Sequence, residues 1–343
     1  MLPAAGSGTR RWARNSEPEL DARMATEITP DDRILVTGAG GFLAAHIVPA
    51  LRNAFPQATL LTVRRKDYDL LHETEVERMF RQERPTILVH LAAKVGGILA
   101  NRTYPADFCY ENLVSTVLVF ESARRAGVRK LVGFMGGCSY PAAARSPIGE
   151  DQFWQGYPQP ESAPYSAAKL MLLLLSASYR QQHGFDSVVL VPGNLYGEYD
   201  NFNLEAAHVV PAMLRKFVEA RDADQPSVTF FGSGRPIRDF VYAGDVAALV
   251  PYFLTRYDSS APVNISTQTG ISVRELAEIL RDLTGYRGTI GWDAAHPDGQ
   301  MVKIYDAARL HGLGLRCPTP LREGLLRTIR WFETHRHGGE VRL

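Results

Sequence analysis

The chain has 343 residues, 45% of them apolar, and a formal net charge of +1. That length can bury one large core or two intimate ones, and the near-neutral charge excludes an electrostatic case for nucleic acid or an anionic membrane surface. No apolar run approaches the ~20 residues of a membrane span, and Cys109, Cys138 and Cys317 are too scattered for a disulfide framework, so free thiols in a reducing cytoplasm are expected.

Residues 1–31 are polar and lack both a strand-like run and the apolar core of a signal peptide, so a loosely ordered extension is expected there. From Arg33 the pattern changes. "RILVTGAGGFLAAHIVPALRNAF" reads as a β-branched run, a glycine turn and an apolar-faced helix. Gly38 and Gly41 precede small Ala44, a G-x-x-G-x-x-A turn between strand and helix. Gly38 permits the tight turn, Gly41 lets a pyrophosphate approach the backbone, and the helix amino end supplies N–H groups and positive dipole. A dinucleotide site is predicted.

The second strand, "ATLLTV", ends on Arg64, Arg65 and Lys66, where an acidic residue would bind a ribose 2′-hydroxyl. Cations there suit a 2′-phosphate, and arginine presents a fork of donors. NADP(H) is therefore expected over NAD(H), with Asp69 beyond the basic run facing the adenine amino group. "TILVHLAA" is the third strand, and small Ala92 and Ala93 leave the cofactor room. "KLVGFMGG" and "SVVLVPGNLYG" are the fourth and fifth, with helical periods between them. Continuous apolar strands alternating with helices imply a parallel sheet covered on both faces. The fold class is α/β, a doubly wound Rossmann sheet.

"YSAAK" places Tyr165 and Lys169 four apart on one helix face. A lysine charge beside a phenol favours phenolate, which makes Tyr165 a proton donor or acceptor beside a nicotinamide-linked carbonyl. Asn112, on the preceding helix, is expected to orient Lys169. After Gly197 the regularity weakens, with strands and amphipathic helices in mixed order. This predicts a smaller, discontinuous C-terminal lobe at the carboxyl ends of the strands. The expected division is a dinucleotide-binding domain over 32–198 plus 236–266, and a sugar-nucleotide lobe over 199–235 plus 267–343.

The segments "HLAAKVGGILANRTYPADF", "CSYP", "PYSAAK", "NLYGEYDNF", "HVVPAMLRKF", "FGSGRPIRDFV" and "HPDGQMVK" give the chain a specific resemblance. It resembles the extended short-chain dehydrogenase/reductases, and among them the GDP-L-fucose synthases, which epimerise C3 and C5 and reduce C4 of a GDP-linked 4-keto sugar. The likeness runs from about Arg33 to the C-terminus. It implies Tyr165 and Lys169 as the reductive pair and Cys138 and His208 as the epimerising pair. It also implies cofactor contacts from Phe42, Leu43, Leu70, Lys94, Asn112, Tyr165, Lys169, Pro192, Asn194, Leu195 and His208. Nucleotide-sugar contacts are implied for Asn194, Lys216, Phe231, Arg238, Asp298 and Lys303. Lys216 stands where the family has arginine and Phe231 where it has tryptophan, so stacking is kept and one donor is lost. A homodimer through paired helices is implied, and no metal.

The chain departs from the family at the site of its catalytic serine, which aligns with Gly136; the neighbouring residue is Gly137, and Gly193 replaces a threonine. These changes are expected to remove bulk beside the sugar; only in a fully bifunctional enzyme would Ser139 or water replace the lost hydroxyl. The resulting expectation is epimerisation at C3, C5 or both with weakened C4 reduction. A fully bifunctional enzyme on another 4-keto sugar and a non-catalytic NADP(H)-binding regulator are the alternatives.

Overall fold

The computed structural model describes residues 26–295, 298–339 and 341–343. Most of the expected N-terminal extension, and His296 and Pro297 of the "HPDGQMVK" segment, lie outside the described residues. The described chain opens with the Thr26 N–H donating to Thr255 O at 2.8 Å.

Six strands form one parallel sheet: β1 (Arg33–Thr37), β2 (Thr59–Val63), β3 (Ile87–His90), β4 (Lys130–Phe134), β5 (Ser187–Pro192) and β9 (Val263–Ile265). Their order is β2-β1-β3-β4-β5-β9. Side chains alternate across it as the pleat requires. Leu35, Leu88, Leu131 and Val189 face one layer, under α2 (Glu73–Glu83), α4 (Pro105–Arg125) and α5 (Ala163–His183). Ile34, Val36, Ile87, Val132 and Val188 face the other, against Ile47 and Leu51 of α1 (Phe42–Ala54) and Leu249, Val250 and Phe253 of α7 (Ala243–Thr255). Burial on both faces is why these strands are continuously apolar rather than alternating.

A third core gathers Phe202, Phe217, Phe230, Leu276, Leu280 and Phe332. It is built from α6 (Val209–Asp222), α8 (Val273–Thr284) and α10 (Leu321–His335), with β7 (Ser227–Phe231) paired to β11 (Thr289–Asp293). Ser272 caps α8 through a capping box with Glu275, which ends the preceding strand and starts the helix at one residue. Between the main sheet and this third core runs β8 (Ile237–Tyr242). It pairs with β6 (Asn194–Tyr196), β10 (Gly270–Ser272) and β12 (Val302–Lys303). The carboxyl ends of β1, β3, β4 and β5 therefore face β6, β8 and β12 across a cavity of about 760 Å³, a typical ligand-pocket volume. Among the described residues no helix is long and apolar enough to cross a membrane.

Candidate active site

One end of the cavity is made by the turn after β1. Gly38 has φ +68°, and a Cβ there would lie 2.7 Å from Ala92 N and 2.8 Å from Ala92 Cα. The β1 and β3 loops thus meet backbone to backbone, which only glycine permits. The Gly41 N–H donates to Gly38 O at 2.9 Å, and Gly41 is the N-cap of α1. No side chain caps that helix, so its first-turn N–H groups are open to a ligand. Phe42, Leu43, Leu70, Ala92, Ala93 and Lys94 line the same end.

Arg64 and Arg65 also line the cavity and are exposed on its rim; Lys66 does not line it. Arg65 pairs with Glu111 at 3.3 Å, and the Lys94 ammonium pairs with both Glu111 and Asp107. Asp69 lines the wall while its carboxylate accepts from the Leu71 N–H at 3.1 Å. Glycine turn, open helix terminus and arginine rim together fit a dinucleotide carrying an additional phosphate.

The other end holds the reactive side chains. The 3-10 turn Gly137–Ser139 follows β4, and the Ser166 hydroxyl donates to Cys138 O at 3.0 Å, tying that turn to α5. A Cβ at Gly136 would lie 3.2 Å from Cys138 Sγ and 3.8 Å from Tyr165 Oη. Thiol and phenol therefore converge on the side-chain position of residue 136. Lys169 lies one helical turn beyond Tyr165 and is 3% exposed. His208 is the N-cap of α6 and lines the cavity, with Pro192, Asn194, Leu195, Arg238 and Lys303 along the same wall. The Asn194 amide donates to Asp239 O at 3.0 Å, which fixes its rotamer.

Burial governs the electrostatics. It pushes the Tyr165 phenol far above the ordinary range, with neighbouring Cys138 adding to the effect. It pulls the Lys169 ammonium down to about 8. The expected lowering of the Tyr165 pKa is not found: desolvation is the largest influence on both groups and disfavours the charged form of each. His208 is accessible from the cleft, yet the surrounding protein lowers its pKa by desolvation and keeps the ring neutral. Lys303 and Arg238 are lowered by burial as well, Lys303 being partly compensated by Cys138.

Several expected residues sit elsewhere. Asn112 is buried behind the cavity wall and does not reach Lys169. Its Oδ1 accepts from the Lys94 N–H and its amide donates to Lys94 O, each at 3.0 Å, so it clamps the loop after β3. Lys216, Phe231 and Asp298 do not line the cavity. The Lys216 ammonium lies 5.4 Å from the Phe231 ring, which is 67% exposed. Asp298 accepts from the Ser233 N–H at 2.9 Å and hydroxyl at 2.6 Å, which hold its pKa down.

Gly193 and Ser139 also differ from expectation. A Cβ at Gly193 would meet Val241 Cγ2 at 3.0 Å and Asp239 O at 3.3 Å, so that glycine makes room for β8 rather than for sugar. Ser139 cannot replace a missing hydroxyl, since it is fully buried outside the cavity lining with its Oγ unpartnered. Sequence reasoning missed Asn101, whose amide donates to Gly96 O and Gly97 O and holds the glycine loop of the cavity wall. It also missed Tyr305, which lines the cavity beside Gly137. The signal for Tyr305 was the glycine pair itself, because two adjacent glycines before a reactive cysteine leave space for another group.

Residues 34–266 match the model of the NAD dependent epimerase/dehydratase family. GDP-L-fucose synthase 1 of Arabidopsis thaliana is 38% identical over 88% of this chain and 93% of its own. A GDP-L-fucose synthetase from Naegleria fowleri, solved bound to NADP, superposes with a TM-score of 0.85 at 27% identity, over 94% of this chain and 99% of that one. A GDP-6-OMe-4-keto-L-xylo-heptose reductase from C. jejuni superposes with a TM-score of 0.84 at 26% identity, over 90% and 99%. With its glycine turn, its Tyr165–Lys169 pair and matches spanning most of its length, this chain is an enzyme of the NAD dependent epimerase/dehydratase family and belongs with its GDP-L-fucose synthases.

Proposed function

We propose that the enzyme epimerises C3, C5 or both of a GDP-linked 4-keto sugar and reduces C4 slowly, using NADP(H) rather than NAD(H). The observation carrying this reading is the convergence of Cys138 Sγ and Tyr165 Oη on the side-chain position of Gly136, in a cavity that His208 also lines. The ketone acidifies the C–H bonds on both sides of it. Cys138 and His208 are the groups with chemistry suited to removing and returning those protons. With its pKa lowered by the surrounding protein, the His208 ring enters turnover as a proton acceptor and donates only after it has been charged.

Tyr165 keeps its proton and donates to the C4 oxygen as negative charge builds there during enolisation or reduction. Lys169 sits beside it to stabilise that charge. When bound, the nicotinamide cofactor supplies the hydride for C4 reduction. Gly38, Gly41 and the α1 N-terminus would hold its pyrophosphate, and Arg64 and Arg65 its 2′-phosphate. Gly136 contributes no hydroxyl to C4, which is the reason for assigning slow reduction.

The proposed division is 32–198 plus 236–266 for the dinucleotide and 199–235 plus 267–343 for the sugar nucleotide; the third core around Phe202, Phe217, Leu276 and Phe332 supports the second lobe, while Tyr305 and Leu310 pack with the sheet. Arg238 and Lys303 would meet the diphosphate inside the cavity. Lys216, Phe231 and Asp298 would reach the nucleotide from beyond its lining. A homodimer through α4 and α5 is supported by the outward Tyr110, Val117 and Leu174, which are 60%, 40% and 52% exposed. Three free thiols are suited to the cytoplasm.

The test is proton NMR of GDP-4-keto-6-deoxymannose in deuterated buffer, with and without NADPH. Deuterium should enter at C3, C5 or both without cofactor, and Cys138→Ala should abolish that exchange. Absence of exchange under both conditions rejects the proposal.

A further inference from the structure

We propose that Tyr305 contacts the substrate, its hydroxyl standing in the side-chain space of residue 137 and donating a hydrogen bond to the sugar of the keto-sugar nucleotide. This deepens the proposed function and rests on it for the identity of the ligand. A Cβ at Gly137 would lie 1.9 Å from Tyr305 Oη and 2.3 Å from Cζ. Gly137 does not have a left-handed backbone, so the glycine serves close approach and not conformation. The ring edge of Tyr305 rests directly on the main chain between Gly136 and Cys138. Residues 136 and 137 are adjacent. The first opens toward the Tyr165 phenol and Cys138 thiol, and the second is filled by the Tyr305 phenol. Three protic groups from three separate elements therefore meet at one end of the cavity, which all of them line.

Tyr305 is held as a preorganised donor should be. Its carbonyl accepts from the Ser266 hydroxyl at 2.9 Å. The neighbouring main chain is pinned to Ile148, whose N–H donates to Ile304 O at 2.8 Å while its carbonyl accepts from the Asp306 N–H at 3.0 Å. The ring leans on Tyr140 at 5.8 Å between centroids, and Tyr140 is stacked on Phe153 at 3.8 Å. The residue is 2% exposed. Its hydroxyl is not one of the fully buried polar atoms left without a partner, and the residue lines the cavity, where a ligand can accept from it. Burial also raises its pKa well above that of a free phenol, so the hydroxyl remains a donor.

A phenol that merely fills volume predicts that the ring matters and the oxygen does not. Tyr305→Phe separates the two. With GDP-4-keto-6-deoxymannose and NADPH, kcat/KM of Tyr305→Phe should fall ~10²-fold, as when one preorganised donor is removed from a carbonyl site. Affinity for GDP and the melting temperature should stay unchanged. A Tyr305→Phe value within twofold of wild type overturns the proposal. If wild type does not turn over this ketosugar, the functional reading fails and calorimetric binding decides this one separately. GDP-L-fucose affinity should then drop ~10-fold in Tyr305→Phe while GDP affinity holds. Equal GDP-L-fucose affinities, or no binding by wild type, overturn it. As a second variant, Gly137→Ser with Tyr305→Leu returns a hydroxyl to the same space and should recover at least tenfold in kcat/KM, or in GDP-L-fucose affinity, over Tyr305→Leu alone; no recovery also overturns it.

Discussion

Gly136→Ser restores a hydroxyl at the point where thiol and phenol converge. Gly136 has φ −84° and ψ 148°, an extended conformation that serine adopts without strain. The new Cβ would stand 3.8 Å from Tyr165 Oη, so an Oγ one bond further on can reach it at ~2.7 Å, an ordinary O–H···O distance. The new Cβ would also stand 3.2 Å from Cys138 Sγ, so the thiol must yield by a few tenths of an ångström. That displacement costs about 1 kcal/mol or less, offset by ~0.4–1 kcal/mol from the reduced freedom of the unfolded chain. Stability should hardly move. A donor polarising a reacting carbonyl is worth ~10²–10³ in rate, or about 2.7–4 kcal/mol of transition-state stabilisation. NADPH oxidation by Gly136→Ser with GDP-4-keto-6-deoxymannose should therefore rise by up to that factor. Solvent deuterium exchange at C3 and C5 should change much less, since Tyr165 already faces the C4 oxygen in that step. An unchanged reduction rate in a variant with unchanged melting temperature would refute the reasoning: the hydroxyl absent at residue 136 would not be what limits hydride transfer.

The other predictions concern the cofactor turn and two buried charges. Gly38→Ala demands φ +68° of an alanine and drives its methyl to 2.7 Å from the Ala92 backbone, so the β1 and β3 loops must separate. NADPH affinity, measured by fluorescence titration, should fall at least tenfold, and unchanged affinity would show that this turn does not hold the cofactor. Lys169, its pKa lowered to about 8, loses its charge as pH rises through that value. The pH profile of kcat/KM should therefore fall on the alkaline side between about pH 7 and about pH 9; a flat profile contradicts the need for a charged lysine. Asp200 is 3% exposed, its Oδ2 has no partner among the described residues, and burial pushes its carboxyl up to about 7. Its folded pKa is raised above the unfolded value, so the fold is favoured while the group is protonated and loses that advantage as pH rises from about 4 to about 7. Asp200→Asn should melt higher than wild type at pH 8, by ~2–4 °C for each kcal/mol recovered. That gap should shrink toward pH 4, and a gap independent of pH would exclude the buried carboxyl as its cause.

Local pattern by itself determined the frame and the cofactor end of this protein. A strand that must be apolar on both faces, a turn that needs φ above zero and a lysine four residues after a tyrosine are constraints between near neighbours. They can therefore be read in "RILVTGAGG" and "YSAAK" without knowing what packs against them. Arg64 and Arg65 belong with these, since the end of β2 is placed by the sheet alone. Tertiary structure decided the sugar end. Tyr305 reaches Gly137 across a separation that no periodicity encodes, and the same glycine type serves different purposes at residues 136, 137 and 193. One opens to the reacting groups, one admits a phenol and one makes room for Val241. Asn112 clamps Lys94 and not Lys169, and Asp298 is occupied by Ser233, because each side chain bonds to whatever the fold brings nearest. Charge states were likewise beyond local pattern: spacing shows that Lys169 and Tyr165 are neighbours, but how much water the surrounding layers exclude determines which form of each is favoured.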